Sequence, residues 1–537
     1  MTDPNDPRNG DEFLPTAPFT PVNDEQQGAD PHRGPVIVDA SQGPKAPGAG
    51  RRMWAGIFGS VRNHPTSWMI AAATAAVVIV GGGSFVAGAA TPSAPDAATL
   101  TAPVATHTAI PTPSQTPTPT PTPTVTARPT ASPAAAASAL KTCSVAGPAS
   151  DARLGTLEAQ VVDAKTGQVL FDRNGETPAP TASVMKTITA AATLAALGPS
   201  YQISTTVVKG SQPGQVVIVG GGDPTLGTGG AQWYQGAPTL TQLATQVKQA
   251  WAKDPANAGH PITSVVADTS LFGGPSWQPS WPQDQRTGEG STAEIVPLIA
   301  DGDKQNPSLL ESPRGSDPAG DAAKAFAQDL GAQYSGAGTA ASGAAQLGVV
   351  KSQPVSALLN EALLNSDNTV MEYLARLTAI KEGTGNSFTA IQAADVKALK
   401  AYGLDASHLT IVDGSGLSAD NRVPPSFLTS FMIKVLNREQ GLGQIYDSLP
   451  ISGQTGTLAT QQYGRFEGAS AVADGHVHAK TGWITGGYTL AGIIDAKDGS
   501  QLSFAIFALG NVGDSAKAAI DTLTAAIYNC GDNLSNS

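Results

Sequence analysis

Apolar and polar positions follow several distinct patterns along this chain. "LEAQVVDAKTGQVLFDRNG" (157–175) alternates and is interrupted by Lys165-Thr166-Gly167, which predicts a β-hairpin with its turn there. "TASVMKTITAAATLAALG" (181–198) is a run of small and apolar residues closed by Gly198-Pro199, which predicts a buried helix. From about 205 to 345, short strand-like runs such as "QVVIVGGGDPTL" (215–226) and "ITSVVADTSLFG" (262–273) alternate with Gly- and Pro-rich loops. This change of texture predicts an inserted domain. "VSALLNEALLNSDNTVMEYLARLTAI" (355–380) has helical periodicity with a break around Ser366-Asp367-Asn368. "HVHAKTG" (476–482), "YTLAGIIDAKDG" (488–499) and "QLSFAIFALG" (501–510) predict successive antiparallel strands, and 514–528 a closing helix. Together these elements predict an α/β fold of the α+β type, helices packed on an antiparallel sheet whose chain ends meet in space.

The first quarter is patterned differently. Residues 1–66 are rich in Pro, Gly and Asp, with little to bury, and predict a disordered tail. "SWMIAAATAAVVIVGGGSFVAGAA" (67–90) carries no charge and is long enough to span a bilayer as a helix. Arg51, Arg52 and Arg62 precede it and the first charge after it is Asp96, so the positive-inside bias places the tail in the cytoplasm and the rest outside. A cleaved signal peptide ending near "AGA" (87–89) is the alternative; the long leader and long apolar run argue for a retained single-pass anchor in the cell membrane. Residues 91–141 contain "TPTPTPTPT" (116–124), a composition that favours polyproline II, and predict an extracytoplasmic linker, either a stalk for a catalytic head or a plain spacer.

The head therefore divides into 142–204, the inserted domain 205–345, and 346–537. It lies in an oxidising compartment on this topology, where Cys143 and Cys530, the chain's two cysteines, would tie its ends as a disulfide rather than stay unrelated thiols. Acidic residues outnumber basic ones, 43 to 31, for a net charge of −12, which argues against a nucleic-acid partner.

Ser183 and Lys186 share one face of the apolar helix. A serine hydroxyl needs a base beside it to act as a nucleophile. A lysine in an apolar site loses its charged form more readily and can serve as that base. Alone, an S-x-x-K is most often a buried serine with a lysine snorkelling to water. Here it is followed in order by Ser366-Asp367-Asn368 and Lys480-Thr481-Gly482. S-x-x-K, S-D-N and K-T-G together are the signature of serine β-lactamases and penicillin-binding proteins. Each part has a decoy: "SALK" (138–141) sits in the linker, and Lys165-Thr166-Gly167 precedes the serine in a turn.

With these motifs the head, roughly 145–530, resembles the D-alanyl-D-alanine carboxypeptidases of the class C, low-molecular-mass penicillin-binding proteins, which also act as endopeptidases. "VGGGDPTL" (219–226), "VVADTSLF" (265–272) and "VDGSGLSADNRV" (412–423) add to the resemblance, as does an insertion between the first two motifs, short for the family. The resemblance implies a serine β-lactamase/DD-peptidase-like fold and a peptidoglycan stem peptide as substrate, with β-lactams as inhibitors and no cofactor. Ser183 would attack the penultimate D-Ala carbonyl, Lys186 would take its proton, and Ser366 would relay a proton to the leaving D-Ala. Asn368 would hold Lys186 and the substrate amide, Lys480 and Thr481 the terminal carboxylate, while Gly482 would let the substrate lie close. The N–H groups of Ser183 and Trp483 would form the oxyanion hole. Trp483 departs from the small hydroxyl residue usual there and removes a side-chain contact to the carboxylate.

His476 and His478 alternate toward the Lys480 face and are expected to add a basic edge to the groove; no third ligand accompanies them for a metal. The rival activities are a β-lactamase, which lacks here an E-x-x-x-N glutamate between the second and third motifs, and a membrane-anchored muropeptide or β-lactam receptor, for which residues 1–66 show no domain-like pattern.

Overall fold

The computed structural model describes residues 140–230 and 233–536. The expected tail, membrane anchor and nearly all of the linker lie outside these residues. Among the described residues no helix is long and apolar enough to cross a membrane.

The described chain enters as a short strand, β1 (Cys143–Ser144), and continues into the hairpin β2 (Thr156–Asp163) and β3 (Val169–Arg173), paired antiparallel. Its turn falls at the expected Lys165-Thr166-Gly167. Asp163 Oδ1 accepts the N–H groups of Lys165 and Thr166, and Gly167 takes the left-handed φ of 74° that closes the turn. A 3₁₀ turn (Ala182–Val184) then leads into α1 (Met185–Ala196). Ten residues of α1, Met185 to Leu194, are buried, as a helix apolar on all sides must be.

The region expected as an insertion builds a sheet of its own from β4 (Ser204–Lys209), β5 (Gln215–Val219), β6 (Ser264–Asp268), β7 (Gln333–Ala337) and β8 (Gln346–Lys351), in the order β7-β6-β5-β4-β8. Pairings β4–β5 and β4–β8 are antiparallel, while β5–β6 and β6–β7 are parallel. Parallel neighbours need a crossover. α2 (Leu240–Lys253) and α3 (Pro318–Leu330) supply the two crossovers, the first opened by a Thr239/Gln242 capping box, the second by Asp317. Val207, Ile218, Leu243, Val265 and Phe326 form a core separate from the rest.

α4 (Val355–Leu364) and α5 (Asn368–Glu382) follow, broken at the expected place: Ser366 adopts φ 62°, a left-handed value a helix interior does not allow, and Asp367 caps the second helix. After α6 (Ile391–Leu399) and α7 (Pro425–Leu436) come three antiparallel strands, β9 (Val477–Ile484), β10 (Gly487–Asp495) and β11 (Gln501–Leu509). The β2–β3 hairpin lies in the same sheet, bridged to it at Gly155 and Leu509. Leu502, Phe504 and Ile506 of β11 pack on one face with α8 (Ser515–Cys530); Ala505 and Phe507 pack on the other with α1, α5 and α7. The alternation follows from the period of two in a strand, and it leaves the sheet covered by helices on both faces. A final strand, β12 (Leu534–Ser535), pairs parallel with β1, and a disulfide joins Cys143 to Cys530.

Candidate active site

The three motifs meet where the N-terminal end of α1, the α4–α5 break and β9 converge. Ser183 occupies the middle of the 3₁₀ turn that leads into α1. Ala182 before it is fully buried at φ 46°, an uncommon value for a residue with a Cβ. The turn is held from both sides. Thr489 Oγ1 donates to the Thr181 carbonyl at 2.7 Å, and a Cβ on Gly416 would overlap the Ala182 carbonyl oxygen.

Lys186 lies one turn on, fully buried. Its Nζ donates to Ser183 Oγ (2.8 Å), Asn368 Oδ1 (2.6 Å) and the Ser415 carbonyl (2.8 Å). Burial lowers its pKa to about 8, against the opposing pull of Glu372, Asp413 and Asp367. Lys480, also fully buried, donates to Ser366 Oγ (2.9 Å) and the Thr481 carbonyl (2.9 Å). Burial, and then the charge of Lys186, hold it well below the ordinary lysine value. The two serines thus each face a lysine whose charge the site resists.

β9 runs directly against the nucleophile turn. A Cβ on Gly482 would overlap Thr489 Oγ1 and stand 2.9 Å from the Ser183 nitrogen, so only glycine fits. Ser183, Ser366, Asn368, Thr481, Gly482 and Trp483 line one cleft. Thr481 Oγ1 and Thr457 Oγ1 share a hydrogen bond of 2.6 Å at its edge. Trp483 is 46 % exposed, and with Tyr463 and Leu310, also exposed, it gives the cleft an apolar wall.

Several participants carry no motif. Ser415 acts through its carbonyl, which no side-chain pattern reveals; only the segment "VDGSGLSADNRV" marked its neighbourhood. Glu289 and Glu311 reach the cleft from the segment between β6 and α3. Burial, and then Glu289, raise the Glu311 pKa. Neither carboxylate hydrogen-bonds to Ser183, Lys186, Ser366 or Asn368; Glu289 accepts from Gln285 Nε2 at 2.8 Å. The histidine expectation needs correction. His478 stacks on Tyr446 and His476 on Tyr528, and the cleft lining includes neither, so they form no basic edge to it. The strand holding Lys480 begins only at Val477, which leaves His476 outside it. Of the decoys, Lys165-Thr166-Gly167 is an exposed turn, and Lys141 pairs with Asp532.

The sequence profile of the D-Ala-D-Ala carboxypeptidase 3 (S13) family matches residues 142–316 and 305–528. The chain belongs to this family. Carboxypeptidase DacB of Mycolicibacterium smegmatis is 35 % identical over 386 residues, covering 70 % of this chain and 81 % of that one. A carboxypeptidase of Mycobacterium tuberculosis is 34 % identical over 401 residues, covering 73 % and 84 %. Penicillin binding protein 4 (dacB) of Haemophilus influenzae shares the fold at a TM-score of 0.58 and 21 % identity, over 70 % of this chain and 95 % of that one. This S13 chain places its three motifs on the elements just described.

Proposed function

We propose that the protein is a serine D-Ala-D-Ala carboxypeptidase that cleaves peptidoglycan stem peptides through an acyl-enzyme on Ser183. The observation that carries the reading is the 2.8 Å contact between buried Lys186 Nζ and the Oγ of Ser183, which lines a cleft together with Ser366 and Asn368. Neutral Lys186 takes the Ser183 proton as Oγ attacks the carbonyl of the penultimate D-Ala. The developing oxyanion faces the backbone N–H groups of Ser183 and Trp483. The proton passes through Ser366 to the nitrogen of the leaving D-Ala, and water then hydrolyses the ester. Lys480, short of a counter-charge, attracts the terminal carboxylate together with Thr481.

Labelling with a fluorescent penicillin tests the nucleophile: Ser183→Ala abolishes the label, and a labelled variant overturns the reading. Products from purified muropeptides divide the activities. Free D-Ala marks the carboxypeptidase, and split cross-links mark an endopeptidase.

A second reading, β-lactamase, is favoured by one observation, the two glutamates in the cleft. It requires one of them to activate the deacylating water. Location is proposed from sequence: the apolar run 67–90, with Arg51, Arg52 and Arg62 before it, anchors the head on the outer, cell-wall side of the membrane.

A further inference from the structure

Lysine as a general base poses a geometric problem. A neutral amine has one lone pair and two N–H bonds, and it accepts from Ser183 only when the lone pair faces that hydroxyl. Two fixed acceptors elsewhere around Nζ solve this by taking up the two N–H bonds. Around Lys186 they are Asn368 Oδ1 at 2.6 Å and the Ser415 carbonyl at 2.8 Å.

Asn368 opens α5 and is held by that helix. The Ser415 carbonyl belongs to a loop and needs its own support. That support comes from Glu372, four residues after Asn368 on the same helix face. Its side chain is fully buried; Oε1 accepts from the Ser415 N–H at 2.6 Å and Oε2 from the Gly414 N–H at 3.2 Å. The loop sits directly on α5, since a Cβ at Gly414 would crowd Ala375 Cβ and the Met371 carbonyl. Thr189 Oγ1 donates to the Gly414 carbonyl at 2.7 Å and ties it to α1 as well. Asp413 next door organises the loop internally, accepting from Gly416 N, Ser418 N and Asn421 Nδ2, and from Trp281 Nε1. Glu372 makes the link from α5.

We propose that Glu372 is a positioning residue for the general base: it fixes the Ser415 carbonyl against Lys186, so that the neutral amine aims its lone pair at Ser183. The role rests on the reading of Lys186 as the base. It also explains why a carboxylate is buried there. Two neighbouring N–H donors need two acceptor oxygens, and a glutamine in the same place offers one oxygen and turns N–H against N–H. One helix thereby sets both acceptors, Asn368 directly and Ser415 through Glu372.

Glu372 also acts on Lys186 through charge. The charged groups facing this pair are Asp413 from the loop, Asp367 from the α5 cap, Arg376 one turn further along α5, and Lys480 from β9. Burial, and then Asp413, raise the Glu372 pKa, while the Ser415 and Gly414 N–H groups that it accepts favour its charged form; where Glu372 is ionised, removing the carboxylate takes away a charge that helps Lys186 keep its proton.

The test is the acylation of the full chain by a fluorescent penicillin in stopped flow, across penicillin concentration and pH. Glu372→Gln is expected to lower the maximal acylation rate constant about 10-fold or more, with the half-saturating concentration within about twofold of the parent. The midpoint of the acid limb is expected to move to lower pH. A purely structural role changes the amount of active protein and leaves both the rate constant and the midpoint in place. A parent-like rate constant, an effect confined to half-saturation, or an unmoved midpoint overturns the proposal. If Glu372→Gln does not fold, Glu372→Asp, acidic but a methylene short, is expected to show the same loss of rate; a parent-like rate in that variant overturns the proposal too. Labelling that survives Ser183→Ala would instead sink the reading of the nucleophile.

Discussion

At the scale of single residues, the site turns on two lysines kept away from water. Burial lowers the Lys186 pKa to about 8, and only the neutral form accepts a proton, so the fraction of active base falls tenfold for each pH unit below that value. Penicillin acylation is therefore expected to climb from pH 6 and level off above about 8, read as the apparent rate constant against pH; a flat profile removes Lys186 from the base role. Lys186→Ala is expected to slow acylation at least ~10²-fold, the low end for loss of a positioned base. That Ser183 and Lys186, Asn368 and Lys186, and Ser366 and Lys480 belong together was legible in the sequence because each residue appears as side-chain identity at short motif spacing. The Ser415 carbonyl was not, since every residue has one. Glu372 was visible only as one more polar position in a helix, and its role depends on a loop some forty residues away.

At the scale of elements, the hairpin, the α4–α5 break and the β9–β11 strands were legible because each has a clean period and a marked turn. The sheet built between 204 and 351 was legible as strands but not in its directions. Parallel pairing of β5, β6 and β7 depends on where α2 and α3 return the chain, and a strand pattern does not encode its neighbour. The same region brings Glu289 and Glu311 to the cleft, which no motif spacing foretold. They make the fate of the acyl-enzyme informative. An opened β-lactam keeps its ring nitrogen tethered in the path of water, whereas a peptide substrate releases D-Ala and clears it. Neither glutamate bonds to the Ser183 group, so the penicilloyl-enzyme is expected to persist for minutes while D-Ala-D-Ala peptides turn over. The check is decay of bound fluorescent penicillin after excess is removed. Loss within seconds, abolished by Glu289→Gln or Glu311→Gln, would establish the β-lactamase reading.

At the scale of the whole molecule, the described residues are joined end to end: β1 pairs with β12, and Cys143 is bonded to Cys530, 387 residues apart in sequence. The disulfide was legible from two cysteines bracketing the head; the strand pairing beside it was not, because two residues carry no period. Chain-entropy arguments give a loop of this length up to about 5 kcal/mol. Cys143→Ser with Cys530→Ser is expected to lower the urea midpoint clearly, with Ser183 still labelled in the folded fraction; an unchanged midpoint would show that the bond contributes little. Protease added to intact spheroplasts is expected to release the head and spare the N-terminal tail, and a mature chain beginning near Thr91 would defeat the anchored topology. The closure also has a mechanical side. A pull on the chain ahead of residue 140 does not meet a loose end that can be peeled from the sheet. At Cys143 the force divides, part continuing along the backbone toward β2 and part crossing the sulfurs into α8, so strain is shared between the sheet and the helix packed on it before it reaches the nucleophile turn.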